Sequence, residues 1–187
     1  MSERNTVLRS VHDLGLAAWF GGALMGAVGV NGAARQMGST DRDTARIAST
    51  GWGKWAPLGA AAVGAHLVGG AGLLNANKDR VRNQAAVTAS TAAKTLLTGA
   101  ALAATAYTRV LGKKVDLASS DDPEKREMSA KAPGDPDQAK RQLSVMQWVV
   151  PALTAGLVIL NALHGEQQRP FSRGTAMMRR MSGIMGR

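Results

Sequence analysis

The chain contains no cysteine and few aromatic residues, which make up 4% of its 187 positions. Without thiols it has no disulfides, no thiolate metal sites and no cysteine nucleophile. The motifs CxxC, HExxH, GxxxxGK(S/T) and GxSxG are also absent, so the usual zinc, nucleotide and hydrolase signatures are missing. The net charge of +10 is scattered along the chain without aromatic residues that would stack on bases. We therefore expect a protein that is not an enzyme and that binds neither nucleic acid nor nucleotide.

Charged residues are missing from long parts of the chain. Residues 14–34, 55–77 and 142–165 carry none, and residues 95–108 form a shorter uncharged stretch. About 20 apolar residues in a helix cross a hydrocarbon core of ~30 Å. Because these stretches have no polar face to present to water, we predict an all-α polytopic membrane protein. The expected fold is a four-transmembrane-helix bundle with both termini on the same side; a three-span protein and a soluble Ala/Gly-rich bundle are the alternatives.

The predicted domain organisation follows from these stretches. Residues 1–165 form the expected transmembrane domain, and residues 166–187 form a basic, methionine-rich tail. The hydrophilic residues 112–141 contain Asp-Pro twice, which is typical of a mostly disordered loop. Pro57 and Pro151 are expected in the first turns of their helices, where a missing N–H matters less. The four spans are predicted at about 10–34, 55–77, 91–111 and 143–164.

The basic residues outside the spans divide almost evenly between the two predicted membrane faces. The positive-inside rule, which counts basic residues, therefore gives a tie. The preference comes from the acidic residues, most of which lie on the opposite face, so the face with both termini is the more uniformly basic. We expect both termini in the cytoplasm, the chain in the cytoplasmic (inner) membrane, and the basic tail against anionic lipids of the inner leaflet.

One face of the first span carries small residues at helical spacing. Gly22 and Gly26 form a GxxxG pair at its centre, and the second span repeats the pattern around His66. Small residues let membrane helices approach closely, so this face is expected to pack against a partner helix or a second copy of the chain. The predicted helix-packing residues are Gly15, Trp19, Gly22, Gly26, Gly29, Gly59 and Gly69.

Six polar residues in or near the spans form a candidate functional cluster: His12, Asp13, His66, Lys94, Asn161 and His164. His66 is expected near mid-membrane with no histidine at its depth, either as a functional group or as a neutral imidazole bonded to a neighbouring helix. The other five are expected at the terminal-side end of the bundle. There Asp13 and Lys94 have opposite charges and are able to pair, or each polar group simply meets headgroups and water. No carboxylate is expected inside a span, which argues against a proton-coupled transporter.

The segment His12-x6-Trp19-Phe20-Gly21-Gly22 resembles the first-helix pattern H-x6-W-x-G-G of the CopD-like membrane domain family. The resemblance covers the first span and implies a small α-helical bundle linked to copper handling, with His12 as a candidate metal-site or haem-site residue. Small bacterial four-helix membrane proteins share the overall pattern.

Three functions therefore stand as hypotheses. The first is a non-enzymatic accessory subunit or scaffold that needs no cofactor and contacts lipids and another membrane protein or a second copy. The second, which the resemblance implies, is copper or haem handling by His12 with His66 or His164. The third is an intramembrane enzyme with an unrecognised motif.

Overall fold

A computed structural model describes residues 5–167, and this part of the chain is helical with no strand. In chain order the elements are α1 Thr6–Met25, the π-helical segment Gly26–Val30, α2 Asn31–Met37, α3 Asp41–Ala76, α4 Lys78–Asn83, α5 Ala85–Ser119, α6 Pro123–Lys131 and α7 Pro136–Gln167.

Three helical segments are long and apolar enough to cross a membrane: Thr6–Met37, Asp41–Ala76 and Pro136–Leu163. Many of their large apolar side chains point outward, such as Leu14 and Val68, which are 70% and 67% exposed. Continuous apolar surface of this kind is unfavourable in water and suits a lipid environment. The prediction of an all-α chain with helices able to span a membrane is confirmed for three segments, and α5 is not among them.

The predicted disordered loop at residues 112–141 is wrong, because most of it is helical. Helix α5 continues to Ser119, and α6 and α7 fill most of the remainder. The two Asp-Pro pairs begin these helices: Asp122 accepts a hydrogen bond from the Glu124 amide at 3.0 Å, and Asp135 accepts one from the Asp137 amide at 3.0 Å. An aspartate cap followed by proline in the first helical position starts a helix. The same Asp-Pro pairs were the basis for predicting a loop.

The long helices also begin well before their uncharged stretches. Helix α3 starts at Asp41, where the Thr40 hydroxyl accepts a hydrogen bond from the Asp43 amide at 3.1 Å. With 36 residues it is about 54 Å long, more than a hydrocarbon core requires. Pro57 and Pro151 therefore lie inside their helices and not in the first turns, contrary to the prediction.

The extensions of α3, α5 and α7 pack together with α6 outside the predicted spans. Their apolar contacts centre on Leu111, Val115 and Ala139. Arg42 of α3 holds the end of α5, donating to the carbonyl oxygens of Ser119 at 3.3 Å and Ser120 at 2.6 Å. These are carbonyls that a helix C-terminus leaves without intrahelical partners, so the guanidinium stabilises this end of the bundle.

Within the bundle, α1 packs antiparallel on α3, and α5 packs antiparallel on α7. The two pairs meet in one apolar core to which all four helices contribute. Its buried members are Trp19 and Ala23 of α1, Ala62 of α3, Ala101 and Ala104 of α5, and Val150 of α7. The middle of α5 therefore lies at the same level along the bundle as the core residues of α1, α3 and α7.

Candidate functional site

The backbones of α1 and α3 approach each other closely at two glycines. A Cβ atom added at Gly15 would lie 2.5 Å from the His66 amide nitrogen and 2.7 Å from the Ala62 carbonyl oxygen. A Cβ added at Gly69 would lie 2.6 Å from the His12 amide nitrogen. Any side chain at these positions would force the helices apart, because the opposing atoms are backbone and have no rotamer to change.

Further along the same contact, glycine recesses of α1 receive indole rings of α3. A Cβ at Gly22 would collide with the Trp55 ring, and one at Gly26 with the Trp52 ring. The predicted packing face is therefore covered by a helix of the same chain, with Trp19 buried beside it in the shared core. Gly29 and Gly59 do not take part in the same way, since an added Cβ there would meet Met25 and Trp55 of their own helices.

His12 and His66 form a stacked pair where α1 and α3 are closest. Their ring centroids are 4.1 Å apart with an interplanar angle of 22°. The Nδ1 atom of His12 lies 2.9 Å from the His66 carbonyl oxygen, and Nδ1 of His66 lies 3.3 Å from the His12 carbonyl oxygen. A carbonyl oxygen only accepts, so each Nδ1 carries the proton and donates it. His66 is 3% exposed and is bonded to a neighbouring helix, and the expectation that no histidine shares its depth is wrong.

The contacts also show that the uncharged stretches of α1 and α3 are offset from each other along the helix axes. Lys54, just before the uncharged stretch of α3, lies level with the Gly22–Gly26 part of α1, whereas α1 remains uncharged until Arg35. The offset is about ten residues, or ~15 Å along the helix axis. At the other end, the close contact of His12 with Gly69 places Asp13 near the middle of the uncharged stretch of α3.

The remaining members of the predicted polar cluster do not converge on the histidine pair. Asp13 is exposed and Lys94 is half-buried, and the two form no ion pair in the described part of the chain. Asn161 is half-buried on α7. The side chain of His164 and the methionine-rich tail from residue 168 onward lie outside what the structure describes.

A polar chain that was not predicted from the sequence joins three helices at the opposite end of the bundle from the histidine pair. The Trp52 indole nitrogen donates to Asn31 Oδ1 at 2.9 Å, and Asn31 Nδ2 donates to Gln147 Oε1 at 2.7 Å. Gln147 Nε2 then donates to the Ser144 carbonyl oxygen at 2.8 Å. The available signal was that Asn31 is the one amide side chain in the uncharged residues 14–34.

Two more side-chain hydrogen bonds join helices, one between the two helix pairs and one within the pair α5 and α7. The Trp19 indole nitrogen donates to the Thr105 hydroxyl at 3.2 Å, linking α1 to α5. The Tyr107 hydroxyl donates to Gln142 Oε1 at 3.0 Å, linking α5 to α7. The buried Thr154 hydroxyl donates to the Val150 carbonyl oxygen of its own helix at 2.8 Å. Trp19 and Tyr107 thus hold neighbouring helices together, whereas Thr154 bonds within its own helix.

An apolar groove of about 400 Å³ opens beside the indole rings. Its walls are the Gly21 side of α1, the side chains of Met25 and Val30, and the rings of Trp52 and Trp55. The π-helical segment forms one end of the groove, and such segments are frequent at functional sites. With these walls, the groove suits an apolar occupant and not a reacting polar group.

The histidine pair does not fit haem or a closed metal site. Two axial histidines approach an iron atom end-on from opposite faces, whereas these rings stack on each other. Each Nδ1 is engaged by a carbonyl oxygen, and the described residues contain no group of three or more His, Cys, Asp or Glu side chains able to hold a metal ion. A pair of imidazoles without further ligands is short of the coordination that copper or zinc sites usually have.

Comparisons with protein-family models, with curated proteins and with solved structures find no match to this chain. The resemblance to CopD-like domains therefore rests on the residues of the first helix alone.

Proposed function

We propose that the protein is a four-span membrane protein in which α5 crosses the bilayer with α1, α3 and α7. The support is the shared core, where Ala101 and Ala104 of α5 pack with Trp19 of α1 and Val150 of α7. A helix at this depth meets either lipid or its neighbours, so its polar groups need partners, as Thr105 has in Trp19. Four crossings leave both termini on one side, which we propose to be the cytoplasmic side of the inner membrane.

Within this fold we propose a non-enzymatic role as an accessory subunit or scaffold for another membrane protein or a second copy. The observation that carries this proposal is that the interior polar side chains form hydrogen bonds between helices. His12, His66, Trp52, Asn31 and Gln147 bond helix to helix and do not converge on a polar cavity. Because α3 of the same chain covers the glycine face of α1, a protein partner would contact the outer apolar faces.

The proposal is tested by purifying the full chain in mild detergent and measuring the mass of the complex by light scattering and native mass spectrometry. A homo-oligomer, or a second membrane protein present in stoichiometric amount, is the expected result. A monomer that retains no protein after purification and after cross-linking in the membrane would contradict it.

Copper or haem handling by His12 with His66 or His164 is the second candidate, which the resemblance of the first helix implies, although the stacked rings of His12 and His66 do not have the end-on geometry of haem ligands. The same preparation distinguishes it through bound copper, bound iron and the Soret absorption. The control is Asn83→Ala, at an exposed position. If stoichiometric metal or haem is lost in His12→Ala and kept in Asn83→Ala, metal or haem handling would replace the scaffold proposal.

A further inference from the structure

We propose that the outer face of α1 binds the same face of a second copy of the chain, with Arg9 of each copy paired with Asp13 of the other. This contact rests on the proposed scaffold role, for which it names the partner and the face.

The first support is that α1 carries two opposite charges at membrane depth. The His12 backbone meets Gly69 of α3, and His12 lies between Arg9 and Asp13. Gly69 is eight residues inside the end of the uncharged residues 55–77, or about 12 Å along the helix axis. Arg9 and Asp13 are therefore level with uncharged residues of α3. A charged side chain at such a depth is costly unless it has a partner of opposite sign.

The second support is that neither charge has such a partner within the part of the chain that the structure describes. Arg9 and Asp13 are both exposed, and their side chains form no ion pair or hydrogen bond among the described residues, although they lie four positions apart on one helix. Lys94 of α5 is half-buried and makes no described ion pair with Asp13. The surface of α1 thus presents one cation and one anion, each in need of a counter-charge.

A second copy supplies both counter-charges at once. In a two-fold symmetric contact the same patch meets itself, so a pair between Arg9 and Asp13 of the other copy occurs twice. Two copies inserted in the same orientation bring equal depths together, and Arg9 then has to reach one helical turn, about 6 Å, along the neighbouring helix. A guanidinium and a carboxylate form a strong and often bidentate pair. A partner with a single charged group would leave either Arg9 or Asp13 unpaired.

Ala17 lets the two α1 helices come close together. It follows Asp13 by four residues, as Asp13 follows Arg9, so the three side chains form a row along one side of the helix. Ala17 is exposed, and small residues at such positions allow membrane helices to approach closely. Since α3 covers the glycine face of α1, this exposed row lies on a side of α1 that α3 leaves free.

The experiment follows assembly between two differently tagged copies expressed together, by affinity purification in mild detergent and native mass spectrometry. Arg9→Asp alone and Asp13→Arg alone should each weaken self-association about tenfold, because both pairs are lost and like charges meet. When one copy carries Arg9→Asp and the other carries Asp13→Arg, both pairs form again across the contact. We therefore expect the mixed assembly to be recovered, which a pair within one chain would not allow.

The matched control uses Glu127 and Lys131 of α6, which are also exposed and four positions apart, with 2.6 Å between Lys131 Nζ and Glu127 Oε1. Copies with Glu127→Lys and with Lys131→Glu should assemble as the parent does, alone or mixed. Ala17→Leu should also weaken association, whereas Ala103→Leu, at an exposed position of α5, should not.

Three results would overturn the proposal. A homo-oligomer that both single charge reversals leave intact would place the contact on another face, and the scaffold role would stand. Recovery in a chain that carries both substitutions, without recovery in the mixture, would show that Arg9 and Asp13 pair within one chain. A parent protein that assembles only with a different membrane protein would also exclude this contact, whereas a monomer without any protein partner would contradict the scaffold role as well.

Discussion

Gly15→Ala should weaken the bundle because the new methyl group meets the backbone of α3. The new Cβ would lie 2.5 Å from the His66 amide nitrogen, whereas ordinary contact begins near 3.4 Å. The helices must therefore separate by about 0.9 Å at this point. Because the obstacle is the backbone of α3, no side-chain rotation relieves it.

The magnitude follows from what this separation breaks. Moving α3 by that amount stretches the bond from His12 Nδ1 to the His66 carbonyl oxygen from 2.9 Å to about 3.8 Å, beyond hydrogen-bond range. The reciprocal bond, already 3.3 Å, is lost as well. Overpacking typically costs about 1–3 kcal/mol and each interhelical bond in a membrane roughly 0.6 kcal/mol, so we expect a loss of about 2–4 kcal/mol.

Gly21→Ala on the same helix is the matched control. A Cβ there meets nothing within 4 Å, so this variant should stay within about 1 kcal/mol of the parent, on the stabilising side. The assay is reversible unfolding in mixed micelles with increasing SDS fraction, followed by circular dichroism. Equal stabilities for Gly15→Ala and Gly21→Ala would refute the close backbone contact between α1 and α3.

Three further changes test other contacts. Asn31→Leu removes the link between Trp52 and Gln147 and should lower the unfolding free energy by about 1–2 kcal/mol in the same assay. Asn83→Leu, at an exposed position, is the control, and equal stabilities for the two variants would contradict the polar chain. Arg42→Ala frees the carbonyl groups at the end of α5 and should speed amide hydrogen exchange at residues 116–121. The global free energy of unfolding should fall by no more than about 1 kcal/mol. Lys125→Ala, the control, should change neither the exchange rates nor the free energy of unfolding. His12→Phe keeps a ring against His66 but has no Nδ1 donor, so it should lower the free energy of unfolding by about one interhelical hydrogen bond, roughly 0.6 kcal/mol. A loss of stability several times larger would show that the histidine pair does more than join two helices.

The helical, membrane-spanning character was predictable because length and apolarity are local properties of the chain. The uncharged stretches at residues 55–77 and 142–165 coincide, to within one or two residues at their ends, with parts of the segments Asp41–Ala76 and Pro136–Leu163, which are long and apolar enough to span. The ends of the helices were harder to predict. A membrane helix continues into water wherever capping and packing allow it, as α3 does from the cap at Thr40.

The arrangement of the polar residues was not predictable from one sequence, because it depends on how the helices slide past one another. His12 and His66 are 54 positions apart, and each was assigned a depth from its own uncharged stretch. The packing of Gly15 on Ala62 and His66 sets a different register and brings the two rings together. Asn31 escaped notice for the same reason, since its partner Gln147 lies 116 positions away.

The crossing of α5 is the central claim, and single cysteines at its two ends test it most directly. The chain has no native thiol, and both Asn83, before α5, and Lys125, after it, are exposed. We predict that a membrane-impermeant thiol reagent labels Asn83→Cys and Lys125→Cys from opposite sides of the membrane, with Met37→Cys on the side of Lys125→Cys. Labelling of Asn83→Cys and Lys125→Cys from the same side would contradict the four-span bundle.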